Sequence, residues 1–223
     1  MKEDINITLP DGTKTTHPKG VTGNEIASSI GPGLAKAALS IKVNGELYDL
    51  TRPILEDTKI EILTDKNEES KSLIWHSTSH VMAQAVQELF PGTKVTLGPS
   101  IADGFYYDFD TEKPFTTDDL EKIEAKMTEI ISGDHAFTRK TIQRDDAIKM
   151  FKEKGEDYKL EILSEIKDDT VSIYTQNDWT DLCRGPHVPS TSAIKSFKLL
   201  KIAGSYWRGD EKRQQLQRTC NFK

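Results

Sequence analysis

Hydrophobic and polar positions alternate from the start of the chain. Ile5, Ile7 and Leu9 stand against Asn6 and Thr8, Pro10-Asp11-Gly12 supplies a turn, and residues 13–16 return, which is the pattern of a β-hairpin. Over residues 21–30 the period becomes helical. Thr22 stands at the cap, Glu25 follows three residues later, and Gly31-Pro32-Gly33 stops the run. Residues 38–43 read as a strand, Asn44-Gly45 as a tight turn and 47–50 as the returning strand, and 59–64 form a last strand with Ile60 and Ile62 on one face. The order β-β-α-β-β-β within about 60 residues predicts a small mixed sheet crossed by one helix, a β-grasp-like arrangement.

A polar run, Asp65-Lys-Asn-Glu-Glu-Ser70, then separates this pattern from a different one, so domains are expected at 1–64 and 65–223. The second begins with a long helical period over 67–90, closed by Pro91-Gly92. Strands are expected at 93–97 and 104–110, and a helix over 118–131, capped by Thr116 or Thr117, with Leu120, Ile123, Met127, Ile130 and Ile131 on one stripe. A strand at 137–142, helices at 144–153 and 158–164 and a strand at 171–174 follow. Residues 177–189, rich in Asp, Gly and Pro, read as a loop, and 197–204 and 205–208 as strands. The fold class expected is α+β: the β-grasp unit, then a larger mixed domain with an antiparallel sheet and packed helices.

Two pairs of residues at the same spacing carry candidate chemistry. His76 and His80 are four apart on the predicted helix, so both imidazoles share a face. That face, with Ala83 and Gln87, is opposite the apolar stripe of Ile74, Val81, Met82, Ala85 and Leu89, which points the histidines to solvent, a cleft or a second layer rather than to the core. Cys183 and His187 repeat the spacing in Asp181-Leu-Cys-Arg-Gly-Pro-His187, where Gly185 and Pro186 forbid a regular helix. Cysteine and histidine are ligands zinc prefers, and two pairs supply four. The same residues equally suit a site that activates water, since histidine is the side chain most easily poised as a base near neutral pH.

Composition narrows the setting. No apolar run approaches the roughly 20 residues needed to span a bilayer, and the first residues show no secretory signal. Two cysteines do not make a disulfide framework, so a reducing, cytoplasmic setting is expected, with Cys183 a free thiol. The net charge is −6, a poor basis for long-range steering of nucleic acid. The charge is uneven, however. Residues 195–223 hold eight Lys or Arg against Asp210 and Glu211, a net +6, leaving −12 on the rest, a pattern that suits either local phosphate contacts or a solvated charged surface.

The strings around these residues resemble a known family. Residues 1–63 look like a TGS domain, the β-grasp module of threonyl-tRNA synthetases. His76-Ser-Thr-Ser-His80, Gly104-Phe-Tyr-Tyr-Asp108, Asp181-Leu-Cys-Arg-Gly-Pro-His-Val-Pro189 and Gly204-Ser-Tyr-Trp-Arg-Gly-Asp210 resemble the editing domain that follows it in bacterial members. The resemblance covers nearly the whole chain in the family's order. It implies hydrolysis of mischarged seryl-tRNA(Thr), with His76, His80, Cys183, His187 and Lys159 as catalytic residues and Asp181 and Tyr107 binding substrate. It favours no cofactor for this step, with zinc on His76, His80, Cys183 and His187 as the alternative.

The resemblance also implies tRNA(Thr) and the remaining synthetase domains as partners, no membrane, and a longer homodimeric parent. ATP, Mg and Zn would serve only an aminoacylation core beyond this chain. After Leu216-Gln-Arg218 the tail Thr-Cys-Asn-Phe-Lys223 departs from the family pattern and leaves Cys220 without a role. A tRNA-binding module without catalysis, and a free-standing editing factor for another aminoacyl-tRNA, are the competing readings.

Overall fold

In the computed structural model, which describes residues 3–221, the first alternation becomes strand β1 (Asp4–Thr8), with Ile5 and Ile7 buried and Asp4 and Asn6 exposed. It pairs antiparallel with β2 (Lys14–Pro18). Helix α1 (Gly23–Ile30) starts at the expected capping box: Glu25 N–H donates to Thr22 Oγ1, and Thr22 N–H donates to Glu25 Oε2. A second short helix, α2 (Pro32–Ala37), follows where the sequence shows only a stop. Pro32 sits in its first turn, where a missing N–H costs nothing and the fixed φ suits the helix. Strands β3 (Ala38–Val43) and β4 (Glu46–Asp49) are joined at Asn44 (φ 51) and Gly45 (φ 91), the left-handed pair a tight hairpin turn needs.

Strand β5 (Thr58–Thr64) lies in the middle of the sheet, parallel to β1 and antiparallel to β3, in the order β2-β1-β5-β3-β4. Its core is Ile5, Ile7, Ile26, Ile41 and Ile60. This is the mixed sheet with a helical crossover that the pattern predicts. One compact unit comprises the chain up to Ile74 together with Gly185–Pro189, and the other comprises Trp75–Arg184 and Ser190 onward.

Most of helix α3 (Glu69–Leu89) lies in the second unit. Strands β6 (Lys94–Val95), β7 (Ser100–Ile101) and β8 (Gly104–Asp110) follow, then helix α4 (Thr117–Ser132), capped by Thr116. Next come β9 (Thr138–Gln143), helices α5 (Arg144–Glu153) and α6 (Asp157–Glu165), and strands β10 (Thr170–Gln176), β11 (Trp179–Leu182), β12 (Lys201–Tyr206) and β13 (Gln215–Cys220). One antiparallel sheet runs β12-β13-β8-β6, with β7 also on β8, and another runs β11-β10-β9.

Besides α2, four features depart from the sequence reading. Residues 179–182 are a strand, not loop: β11 returns along β10 through the two residues Asn177-Asp178, with Asn177 at φ 49. The Gly and Pro that follow at 185–186 mask that strand in the sequence. Strand β13 has no counterpart in the pattern, because Gln-Leu-Gln-Arg-Thr-Cys offers one large apolar residue, yet it pairs on both sides, with β12 and β8. Cys220 is buried on it, which gives that cysteine a packing role, while Phe222 and Lys223 of the same tail lie outside the described residues. Residues 207–209 form a 3-10 turn with Arg208 at φ 57, so the strand expected at 205–208 ends at Tyr206. Finally, α3 is buried on every face from Ser77 to Val86, rather than along one stripe.

Much of the basic C-terminal stretch is spent on ion pairs inside the chain. Lys198 pairs with Glu124, Arg208 and Arg213 with Glu161, and Arg218 with both oxygens of Asp108. Among the described residues no helix is long and apolar enough to cross a membrane.

Candidate active site

The site in the second unit is a seam between one helix face and one strand edge. Along α3, His76, His80 and Gln87 follow the 4- and 7-residue repeats of a single face. On the facing chain Trp179, Asp181 and Cys183 alternate with Thr180 and Leu182, and a strand points every second residue to one side. The two rows meet in order. Cys183 Sγ lies 3.4 Å from His76 Nε2. The Trp179 ring stands edge-on to His80, with centroids 5.5 Å apart and planes at 89°. Trp179 Nε1–H also donates to Gln87 Oε1 at 2.7 Å. His76 and His80 themselves make an edge-to-face pair with centroids 5.0 Å apart.

The backbone holds Cys183 at both ends. Its N–H donates to Ser172 O, and the Ser172 hydroxyl donates back to Cys183 O, which extends the β10–β11 ladder by one residue. His76 is held through Ser79, whose hydroxyl lies 2.8 Å from His76 O and 2.7 Å from Gly98 O. His80 is buried and His76 half-buried. Together with the Trp179 contact, this places His80 in the second layer that the helical phase allows.

Behind Cys183 lies a buried charged group. Lys159, on α6, is 1% exposed and Asp181 2%, so their ion pair at 2.7 Å is shielded from water. The ammonium also donates to Thr96 O at 2.7 Å and to the Tyr107 hydroxyl at 3.3 Å, which spends its three N–H groups. Tyr107 in turn donates to Asp181 Oδ2 at 2.9 Å, and Leu182 N–H to Asp181 Oδ1 at 2.7 Å. Burial, followed by the Asp181 charge beside it, pushes the Tyr107 hydroxyl well above the ordinary phenol range, so it acts as a donor at any working pH. Desolvation also raises the Glu156 carboxyl, against hydrogen bonds from Gln87 and Val95 that favour its charged form.

Of the residues singled out in the sequence, six are positioned by the second unit and His187 by the first. His76, His80 and Cys183 come together, and their ligand atoms lie within 4.8 Å of one another. Two imidazoles and a thiol at that spacing fit the donor set zinc prefers. Lys159, Asp181 and Tyr107 form the buried group beside them. His187 belongs to the segment Gly185–Pro189 of the first unit, where its N–H donates to Asp49 Oδ1 at 3.0 Å. Sequence reasoning missed Trp179, Glu156 and Gly98, and placed Gln87 on the histidine face without a role. The first was legible as the start of the alternation 179-181-183, once that stretch is read as a strand.

Gly98 is required by Tyr107. A Cβ at residue 98 would lie 2.1 Å from Tyr107 Cδ2. Tyr107 is buried and stacked on Phe109, so the ring cannot retreat cheaply. Gly98→Ala is expected to cost about 1–3 kcal/mol, the usual range for overpacking, and to pull the Tyr107 hydroxyl off Asp181. Chemical denaturation and the near-ultraviolet tyrosine signal check this, and unchanged values for both would show that the ring is free to move.

Fold and site together describe a β-grasp unit joined to an α+β unit with a His/Cys site, and two known domain families match them. Residues 5–64 match the TGS domain, and residues 171–218 match the threonyl and alanyl tRNA synthetase second additional domain. Over 96% of its length the chain is 54% identical to the threonine--tRNA ligase of Geobacter sp. (strain M21), and over 96% it is 50% identical to that of Hyphomonas neptunium. It is 48% identical over 98% of its length to the threonine--tRNA ligase of Symbiobacterium thermophilum. The chain spans about a third of those relatives' length, 33–34%.

Proposed function

We propose that this chain carries the editing activity of a threonine--tRNA ligase, hydrolysing serine from mischarged tRNA(Thr). The observation that carries the reading is the contact of His76 Nε2 with Cys183 Sγ at 3.4 Å, next to the buried Lys159–Asp181–Tyr107 group. Ester hydrolysis needs a placed water, a proton acceptor and donors for the developing oxyanion. His76, half-buried and so reachable, takes the proton as water adds to the ester carbonyl. The tetrahedral intermediate then collapses, the terminal ribose oxygen leaves and receives a proton, and free serine and tRNA result. Cys183 borders the water.

His80 orients His76 through their ring contact. Lys159 spends its donors on Asp181, Thr96 and Tyr107, which favours orienting these groups over touching the leaving hydroxyl. Bound zinc, held by His76, His80 and Cys183, would supply a polarised water. The hydrolysis proposed here uses the side chains alone, and elemental analysis of the purified protein separates the two.

Editing of this kind has a physical motive. Serine is threonine less one methyl, and a missing methylene is worth only about 1–3 kcal/mol of discrimination in a binding pocket. A second pocket that admits only the smaller amino acid removes the error. Single-turnover deacylation of seryl-tRNA(Thr) tests the proposal. Wild-type protein is expected to release serine, and Cys183→Ala to slow release by about 10²-fold, the small end of acid–base effects. Undiminished rates in both Cys183→Ala and His76→Ala would remove the site assignment.

A further inference from the structure

Glu156 stands immediately before α6, at the cap position, yet its carboxylate caps nothing. A cap side chain ordinarily accepts from the N–H groups of the first turn. This one turns inward and is 6% exposed, and burying a carboxylate is costly unless hydrogen bonds repay it. Both oxygens are used. Oε1 accepts from Gln87 Nε2 at 2.6 Å and Oε2 from Val95 N–H at 3.2 Å. Each bond leads to the candidate site.

On one side Gln87 Nε2 is committed to Glu156 and to Thr93 O at 2.9 Å. That commitment turns the amide oxygen toward the Trp179 indole N–H, which can only donate. The bonded indole then stands edge-on to His80. On the other side Val95 precedes Thr96, whose carbonyl holds the Lys159 ammonium. The Glu156 carbonyl meanwhile accepts from the backbone N–H of Lys159. One buried carboxylate thus ties α6, β6, α3 and β11 together at the points where they carry Lys159, Thr96, Gln87 and Trp179.

We propose that Glu156 is a positioning residue of this site, setting Trp179 and His80 through Gln87, and Lys159 through Val95 and Thr96. The inference rests on the editing reading for its consequence in rate, but the hydrogen-bond relay is testable without it.

Glu156→Gln is the sharp test, because it keeps the shape and changes only the pattern. The introduced amide offers one oxygen to two donors, Val95 N–H and Gln87 Nε2–H. The remaining conflict is relieved if the Gln87 amide turns over, which faces its NH2 to the Trp179 N–H. The double variant Glu156→Gln/Gln87→Glu restores the pattern among residues 156, 87, Val95 and Trp179, while Thr93 O loses the donor it has in Gln87. The introduced amide accepts from Val95 and donates to the introduced carboxylate, which also accepts from Trp179.

Two measurements are read together on the full chain: the indole 1H–15N cross-peak of Trp179, assigned with Trp179→Phe, and the single-turnover rate on seryl-tRNA(Thr). Glu156→Gln is expected to shift the Trp179 peak, leave those of Trp75 and Trp207 in place, and slow deacylation by about tenfold, in the range of small misplacements of reacting groups. The double variant is expected to return the peak toward its wild-type position and to recover part of the rate. An unmoved Trp179 peak, or a moved peak with an undiminished rate, overturns the proposal. If Glu156→Gln fails to fold, recovery in the double variant supports the relay and failure to recover overturns it. If wild-type protein releases no serine, the editing reading falls, and the shift and recovery of the Trp179 peak alone decide the relay.

Discussion

Replacing Lys159 by Met is expected to destabilise the second unit by about 3–5 kcal/mol, the usual loss when one partner of a buried ion pair is removed. The reason is what is left behind. Asp181 is 2% exposed and would keep only the Tyr107 hydroxyl and the Leu182 N–H as partners, while Thr96 O would lose its donor. An uncompensated buried carboxylate costs more than the pair itself contributes, because both ions have already given up their water. In a unit of this size such a loss lowers the thermal midpoint by roughly 10 °C. The double variant Lys159→Met/Asp181→Asn removes the stranded charge and is expected to recover part of the loss. Denaturant titration of the three proteins measures it. A loss under 1 kcal/mol in Lys159→Met would mean that water reaches Asp181.

His76→Ala is expected to lower the single-turnover rate on seryl-tRNA(Thr) by about 10²–10⁴-fold, the contribution of a placed general base, while changing stability little. The difference from Lys159 follows from surroundings. His76 is half-buried and touches Cys183 and His80 through its ring, so its removal opens space at the edge of the site without stranding a charge. A rate within twofold of wild type would assign the proton transfer elsewhere.

The fold was most legible where local signals stand alone. The Thr22–Glu25 capping box, the Asn44-Gly45 turn and the alternation of Ile5 and Ile7 each specify their element without help from distant residues. Strand β13 is the opposite case: its polar sequence becomes a strand because β8 and β12 lie on either side of it, and pairing partners more than a hundred residues away leave no local mark. The site divides the same way. Helical phase brings His76 and His80 to one face, and the strand period, had 179–182 been read as a strand, brings Cys183 and Trp179 to meet them. The resemblance marks Lys159, Asp181 and Tyr107 as site residues but not as partners, since nothing in the spacing of residues 107, 159 and 181 signals that they touch. Glu156 was hidden for a further reason: at a helix start a carboxylate reads as a cap, and only its inward turn toward Gln87 and Val95 shows otherwise.

If the His76–Cys183 seam is the editing site, it clears serine and spares threonine. The most direct measurement is the deacylation of seryl-tRNA(Thr) and threonyl-tRNA(Thr) by the wild-type chain under identical single-turnover conditions, with alanyl-tRNA as a third substrate. Serine is expected to be released at least tenfold faster than threonine, with no comparable release of alanine. Binding of all three without release of serine would contradict the editing reading and leave a tRNA-binding module in its place.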